Sequence, residues 1–284
     1  MSGYAELTAL SVDELRARAR LRFRLVEDIP TLMADFACAI ADEIQAANRE
    51  GRPARLILPV GPVKQYPMLV EITNRERIDW SNVWVFQMDE FLDWQGRPIA
   101  VSDPLSFTGY LQRELFGKID PELRMPADHH VVPHPFRIDT FSEALERVGG
   151  ADCCFGGIGY HGHVAFNEPW ISRWNKVTLE QMRESLTRVV ALGDDSIVVQ
   201  SIHSAGGNSH AIPPMAVTCG MRDILSARKI RLYCAAGDRH KTIFRIAVAG
   251  DVTADYPVTL VQGHADAEVV TDDATAAPVN VGLH

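Results

Sequence analysis

Five short apolar runs punctuate the chain, at 55–60 (RLILPV), 83–88 (VWVFQM), 153–155 (CCF), 230–234 (IRLYC) and 258–261 (VTLV). Their apolarity is nearly continuous rather than alternating, which is the pattern of strands covered on both faces, as in a parallel sheet. Between them the spacing becomes helical and carries start and stop signals. Ser11, with Glu14 three positions on, reads as a capping box for a helix over 12–23. Asp28 and Pro30 open a long amphipathic helix to Asn48 that Gly51 stops. Ser102 or Asp103 caps a helix with Pro104 in its first turn, running to Phe116. Thr140 and Glu143 open another, ended by Gly149 and Gly150, and a last one runs from Asp238 to Ala249 before Gly250.

Alternating β and α units of this kind predict a Rossmann-like α/β fold: a doubly wound, mainly parallel sheet flanked by helices, with right-handed crossovers. No composition break marks a linker, so 1–284 reads as one domain. The one long irregular stretch, 192–214, holds Gly193, Gly206, Gly207 and two prolines, and reads as a candidate active-site lid. Residues 272–284 read as a frayed tail.

Composition narrows the function. Hydrophobic residues at 46% and charged residues at 23% of 284 exclude a disordered, collagenous or coiled-coil chain. A net charge of -9, with no run rich in Lys or Arg, argues against nucleic acid as partner. No apolar stretch approaches the ~18 residues of a membrane span, and no basic-then-apolar leader opens the chain. Five cysteines, none in a C-x-x-C pair, suit a reducing compartment, so the expected location is the cytoplasm.

Ligands in open α/β sheets bind beyond the carboxyl ends of the strands. Three polar clusters fall there: Gly61 to Lys64, Asp89 with Glu90, and Gly156 to Glu168. Gly157, Gly159 and Gly162 match the letters of a dinucleotide fingerprint, but no helical pattern and no ribose-binding acid follow, so the glycines mean a sharp bend or a close approach instead. His161 and His163 flank Gly162, and in an extended segment they share one face, as a metal pair can; the plainer alternative is two solvated or backbone-bonded histidines. Asp89 is a possible general base beside a second carboxylate; the plainer alternative for an isolated Asp-Glu is a helix N-cap or a solvated pair. There is no P-loop lysine and no G-x-S-x-G elbow.

Met88-Asp89-Glu90-Phe91 and the run from Gly156 through His163-Val164-Ala165-Phe166-Asn167-Glu168-Pro169 resemble the signatures of the glucosamine-6-phosphate deaminase/isomerase family, which shares its fold with 6-phosphogluconolactonase. The likeness extends from about Leu56 to His264, and G-H-x-A-F-N-E-P resembles the deaminase branch more than the lactonase branch. It implies an aldose–ketose isomerisation at C1–C2 with loss of ammonia, needing no redox cofactor. By position, Asp89 resembles the base that shuttles the proton, His163 the residue that opens the pyranose ring, and Glu168 the carboxylate that orients it. The resemblance also places Gly61, Lys64, Glu90, Gly157, Gly159, Gly162, Asn167, His240 and Lys241 around the substrate, and it leaves a homo-oligomer as an expectation.

Four positions depart from the family. His161 stands where the family has the aspartate that partners the ring-opening histidine, which should lower the pKa of His163. The phosphate cradle, T-G-G-T/S in the family, is Val60-Gly61-Pro62-Val63, short of one N–H and of hydroxyls. The phosphate lysine is replaced by His240, with Lys241 adjacent, and Gly193 stands near the phosphate arginine's place. The expected substrate is therefore a sugar or amino sugar other than glucosamine 6-phosphate, either lacking the terminal phosphate or holding it through Lys64, Arg239 or Lys241. The alternatives are a sugar-lactone hydrolase, a metal-dependent hydrolase using His161 and His163, and a non-catalytic sugar-binding relative.

Overall fold

The computed structural model describes residues 2–282 apart from 171 and 173. Its strands are β1 (Arg22–Val26), β2 (Ala54–Leu58), β3 (Val83–Gln87), β4 (Asp89–Leu92), β5 (His130–Val131), β6 (Cys153–Gly157), β7 (Arg188–Ala191), β8 (Met215–Thr218), β9 (Lys229–Cys234) and β10 (Ala267–Asp272). Seven form one sheet in the order β1-β10-β9-β6-β2-β3-β5, parallel at every pairing. This is the doubly wound arrangement that the alternation of elements predicts. A second, three-stranded antiparallel sheet, β4-β8-β7, stands beside it.

The continuous apolar runs have a simple cause. A strand sends successive side chains to opposite faces. Leu56 and Leu58 join Val85, Cys153 and Phe155 in one core cluster, while Ile57 joins Phe86 and Cys154 in the other. The register, Leu56 opposite Val85 and Cys153, Ile57 opposite Phe86 and Cys154, keeps each row on one face. Among the described residues, no helix is long and apolar enough to cross a membrane.

Several sequence signals hold locally. Asp28 caps the helix Ile29–Glu50 through the Thr31 N–H, and Gly51 ends it in the left-handed region at φ 65°. The Ser11–Glu14 capping box forms, but its helix stops at Arg18, and Arg22–Val26 pairs with β10 as an edge strand. Ser106, not Ser102 or Asp103, caps the helix Phe107–Leu111.

Three expectations are overturned. The 258–261 run is no strand but part of a 3-10 helix, Pro257–Gly263, buried from Pro257 to Val261; an apolar run that short reads alike in either state. The stretch 192–214 is mostly ordered as the helix Asp194–Ser204 and the 3-10 turn Ser209–Ala211. The tail is not frayed at its start, because Asp272 ends β10, Thr275 and Ala276 are fully buried, and Arg245 donates to the Ala276 carbonyl at 2.7 Å.

One ion pair ties the sheet to the loop before β6. Asp152 accepts from Arg55 Nε at 3.0 Å and Nη2 at 2.8 Å, and both residues are buried. Asp152→Ala strands the guanidinium, and a loss of about 3–5 kcal/mol is expected, read as a lower denaturant midpoint at unchanged slope.

Candidate active site

The ends of β2, β3 and β6 meet. A Cβ on Gly157 would lie 2.9 Å from the Gly61 carbonyl, and one on Gly156 would lie 3.3 Å from Met88 Cε and from Val164. Glycine at both positions thus lets the three strand ends close on one another. The end of β8 then serves as a common post. Asp89 pairs with Thr218, and Met88 accepts the Cys219 N–H at 2.8 Å. From the other side Phe166 donates to Thr218 Oγ1 at 3.1 Å and Asn167 Nδ2 to the Cys219 carbonyl at 3.0 Å. Asp89 and the loop bearing His163 and Glu168 are in this way held by two adjacent residues.

Asp89 is buried, with no hydrogen bond drawing its pKa down. Burial, and then the neighbouring Glu90 charge, push it up to about 8. A carboxyl group that changes charge near neutral pH can take and return a proton during turnover.

The loop after β6 is folded around the His163 ring. Gly159 donates to the His163 carbonyl at 2.8 Å, Gly162 turns the chain at φ 64°, and Ala165 sits at φ 54°, a region a non-glycine residue seldom enters. Burial first, then His161 and His240, push the His163 pKa down to about 3, so the imidazole is neutral. The ring lies over Gly159, where a Cβ would fall 1.9 Å from Nε2. Gly159→Ala must therefore swing the imidazole away. We expect turnover to fall at least ~100-fold with little change in melting temperature, measured by steady-state kinetics and thermal unfolding.

Glu168 does not pair with His163 as the resemblance implies. Its Oε2 accepts the Gly193 N–H at 2.8 Å, and its Oε1 is buried without a partner among the described residues. His161 instead meets Asp195, through its Nε2. Asp195 is a residue the sequence reading missed, because it lies in the first turn of a helix within the stretch read as irregular. The donors of His161, His163 and Glu168 gather within 4.8 Å of one another.

Two expected substrate contacts have other duties. Every acceptor of Glu90 is taken: Oε1 by the N–H groups of Phe91 and Phe107, Oε2 by the Ser106 hydroxyl and the Thr108 N–H. It anchors the start of the helix Phe107–Leu111. Asn167 is fully buried, donating to Val164 and Cys219 carbonyls and accepting from Arg188 Nη1 at 2.8 Å. Both are positioning residues here.

The polar positions expected at the sugar's far end offer little free charge. His240 is buried with neither ring nitrogen partnered among the described residues, and burial, then Arg239, push its pKa down to about 4. Lys241 pairs with Asp238 at 2.7 Å, and Arg239 meets His203 Nε2 at 3.0 Å. Gly61 and Lys64 are exposed at the turn after β2. A cleft of about 610 Å³ elsewhere, along the β1 edge, is lined by Arg16, Arg20, Arg22 and Arg24, but Arg20, Arg22 and Arg24 are already paired with carboxylates.

No protein-family model matches the chain. It is 28% identical over 247 residues to a glucosamine-6-phosphate deaminase of Porphyromonas gingivalis, covering 84% of this chain and 86% of that protein. It is 28% identical over 269 residues to the Bacteroides fragilis enzyme of the same name, covering 93% of each. Among solved structures, a monomeric glucosamine-6-phosphate deaminase of the NagB superfamily superposes with a TM-score of 0.76 at 23% identity, covering 90% of this chain and 99% of that one. The 6-phosphogluconolactonase of Thermotoga maritima superposes at 0.64 with 14% identity, covering 89% and 99%. The chain is a divergent homologue of the glucosamine-6-phosphate deaminases, built on the fold they share with 6-phosphogluconolactonase.

Proposed function

We propose that the protein is an aldose–ketose isomerase or deaminase acting on a sugar or amino sugar whose far end is held without the family's phosphate cradle. The observation that carries this reading is Asp89: a buried carboxyl group with a pKa of about 8, fixed by Thr218 and Cys219 beside the loop of His163 and Glu168. Asp89 takes the proton from C2 of the open-chain aldose, an enediol forms, and the same carboxylic acid returns the proton to C1. For an amino sugar, the resulting imine is hydrolysed and ammonia leaves. A small shift in side-chain position lets one carboxyl group serve both carbons, since they are adjacent.

His163, His161 and Glu168 form the wall that faces the ring oxygen, and Gly157, Gly159 and Gly162 let the loop pack closely enough to hold it, against Gly61, His163 and Tyr256 in turn. Gly61, Lys64, His240 and Lys241 border the far end. The helix Asp194–Ser204, in the stretch read as a lid, carries Asp195 to His161, so opening that helix would separate the pair. Five free thiols, Cys38 exposed and Cys153, Cys154, Cys219 and Cys234 buried, suit a reducing cytoplasm.

The test is a panel of plain and phosphorylated aldoses, amino sugars and sugar lactones, assayed for ketose, ammonia and acid. Ketose or ammonia released from a non-phosphorylated sugar supports the proposal. Acid from lactones alone would replace it with the hydrolase reading, and strong turnover of glucosamine 6-phosphate at micromolar KM would overturn the altered grip.

A further inference from the structure

We propose that His161, His163 and Glu168 form a binding site for a divalent first-row transition metal, placed where the relatives keep a proton relay. One donor atom from each side chain lies within 4.8 Å of the donors of the other two. The same side chains hold three of the buried polar atoms that have no hydrogen-bonding partner among the described residues: His161 Nδ1, His163 Nδ1 and Glu168 Oε1. Polar atoms removed from water are normally satisfied. Each of the three side chains keeps a spare lone-pair donor when the histidines are neutral and the glutamate ionised, and the three side chains bring donors within reach of one another. A cation satisfies all of them at once. Ligands about 2.0–2.2 Å from a tetrahedral zinc ion stand roughly 3.4 Å apart, so side-chain rotation that draws these donors together completes the site.

Independent support comes from what lies behind the donors. A metal-binding histidine commonly gives its second ring nitrogen to a carboxylate, which fixes its tautomer and aims the first. His161 gives Nε2 to Asp195 and so leaves Nδ1 for the cluster. Glu168 is held in the same manner, since the Gly193 N–H takes Oε2 at 2.8 Å and leaves Oε1. Gly193 itself makes the arrangement possible. A Cβ there would stand 3.2 Å from Glu168 Oε2, 3.2 Å from Asp195 Oδ1 and 3.4 Å from the His161 ring. His161 in place of the relay aspartate and Gly193 near the place of the phosphate arginine, unrelated departures in the resemblance, are two parts of one site here.

Two imidazoles and one carboxylate form a donor set suited to Zn²⁺, Mn²⁺, Fe²⁺ or Co²⁺ rather than to Mg²⁺ or Ca²⁺, and three protein ligands leave positions open for a substrate oxygen. The inference is independent of which sugar is turned over.

The test uses the full chain, stripped with chelator, and two probes: Zn²⁺ by titration calorimetry and Co²⁺ by its visible d–d absorption. One equivalent of Zn²⁺ is expected to bind at roughly 1 µM or tighter. Glu168→Gln and His161→Phe should each weaken it at least ~100-fold and abolish the Co²⁺ band, and Asp195→Asn should weaken it about 10–100-fold. His203→Ala, outside the cluster, should change nothing. Glu168→Gln is nearly isosteric, so it keeps the test decisive if His161→Phe fails to fold. Failure of the wild type to bind at 100-fold higher zinc concentration overturns the inference, as does binding that both folded variants retain. Sugar turnover is scored separately with and without chelator. Turnover with no metal binding sinks the metal site alone, and metal binding with no turnover of any sugar sinks the isomerase reading alone.

Discussion

Replacing Asp89 by Asn is expected to abolish turnover while making the folded protein more stable at high pH. Removal of a general base commonly costs roughly 10²–10⁴ in rate, and Asn matches the shape of Asp without its ability to take a proton. In the wild type, kcat/KM should rise with pH until Asp89 is ionised, levelling above about 8. The stability effect runs the other way. The folded-state pKa of about 8 stands far above the roughly 3.9 of an unfolded aspartate. Between those values the native state holds a proton that the unfolded state has released. Stability from this group is therefore complete below pH ~4 and is lost as pH rises through about 8. Asn does not ionise and escapes the loss. At pH 9 the variant should melt higher by a few degrees, about 2–4 °C for each kcal/mol recovered, and near pH 4 the two should coincide. Calorimetric scans of both proteins at the two pH values check this. A variant that is inactive and also less stable at pH 9 would mean that Asp89 is a structural carboxylate and not a poised base.

The parts of this molecule legible in its sequence are those where one local rule decides. The runs at 55–60, 83–88 and 230–234 read as buried strands because the pleat exposes both faces to core, leaving room for a single polar residue in each, Arg55, Gln87 and Arg231. Asp28 and Gly51 bracket their helix because a cap is a local bond. The 258–261 run misled because burial on all sides produces the same letters in a 3-10 helix as in a strand. The edge strand Arg22–Val26 hid for the opposite reason: arginines at 22 and 24 pair with Asp266 and Glu268, which are distant in sequence, and with Asp35 on the next helix. At the site, Asp89, His161, His163 and Glu168 stood out by motif. Their partners did not. Asp195 reaches His161 and Gly193 reaches Glu168 across a turn of tertiary structure, and Glu90 and Asn167 spend their polar atoms on backbone groups that no spacing rule reveals.

The second large effect concerns the far end of the substrate. Two or three charge-assisted contacts to a phosphate, at ~1.5–3 kcal/mol each, would make the phosphorylated sugar better by roughly 10²–10⁵ in kcat/KM. Here Pro62 takes an N–H from the turn, His240 is neutral at pH 7, and Lys241 is engaged by Asp238. Adding the terminal phosphate is therefore expected to improve kcat/KM by less than about tenfold. His240→Lys puts a cation back. Burial will depress its pKa in the free protein, since an uncompensated ammonium is costly there, but a bound phosphate dianion restores its charge, so the gain appears only with the phosphorylated substrate. We expect about 10–100-fold higher kcat/KM for the phosphorylated sugar, carried by KM, and no gain for the plain one. A paired kinetic comparison of the two sugars on the two proteins measures it. Should the wild type already favour the phosphorylated sugar a thousandfold, some other cation holds it, and Arg188 is the first to suspect: it is half-buried beside Asn167 and, among the described residues, has no carboxylate partner.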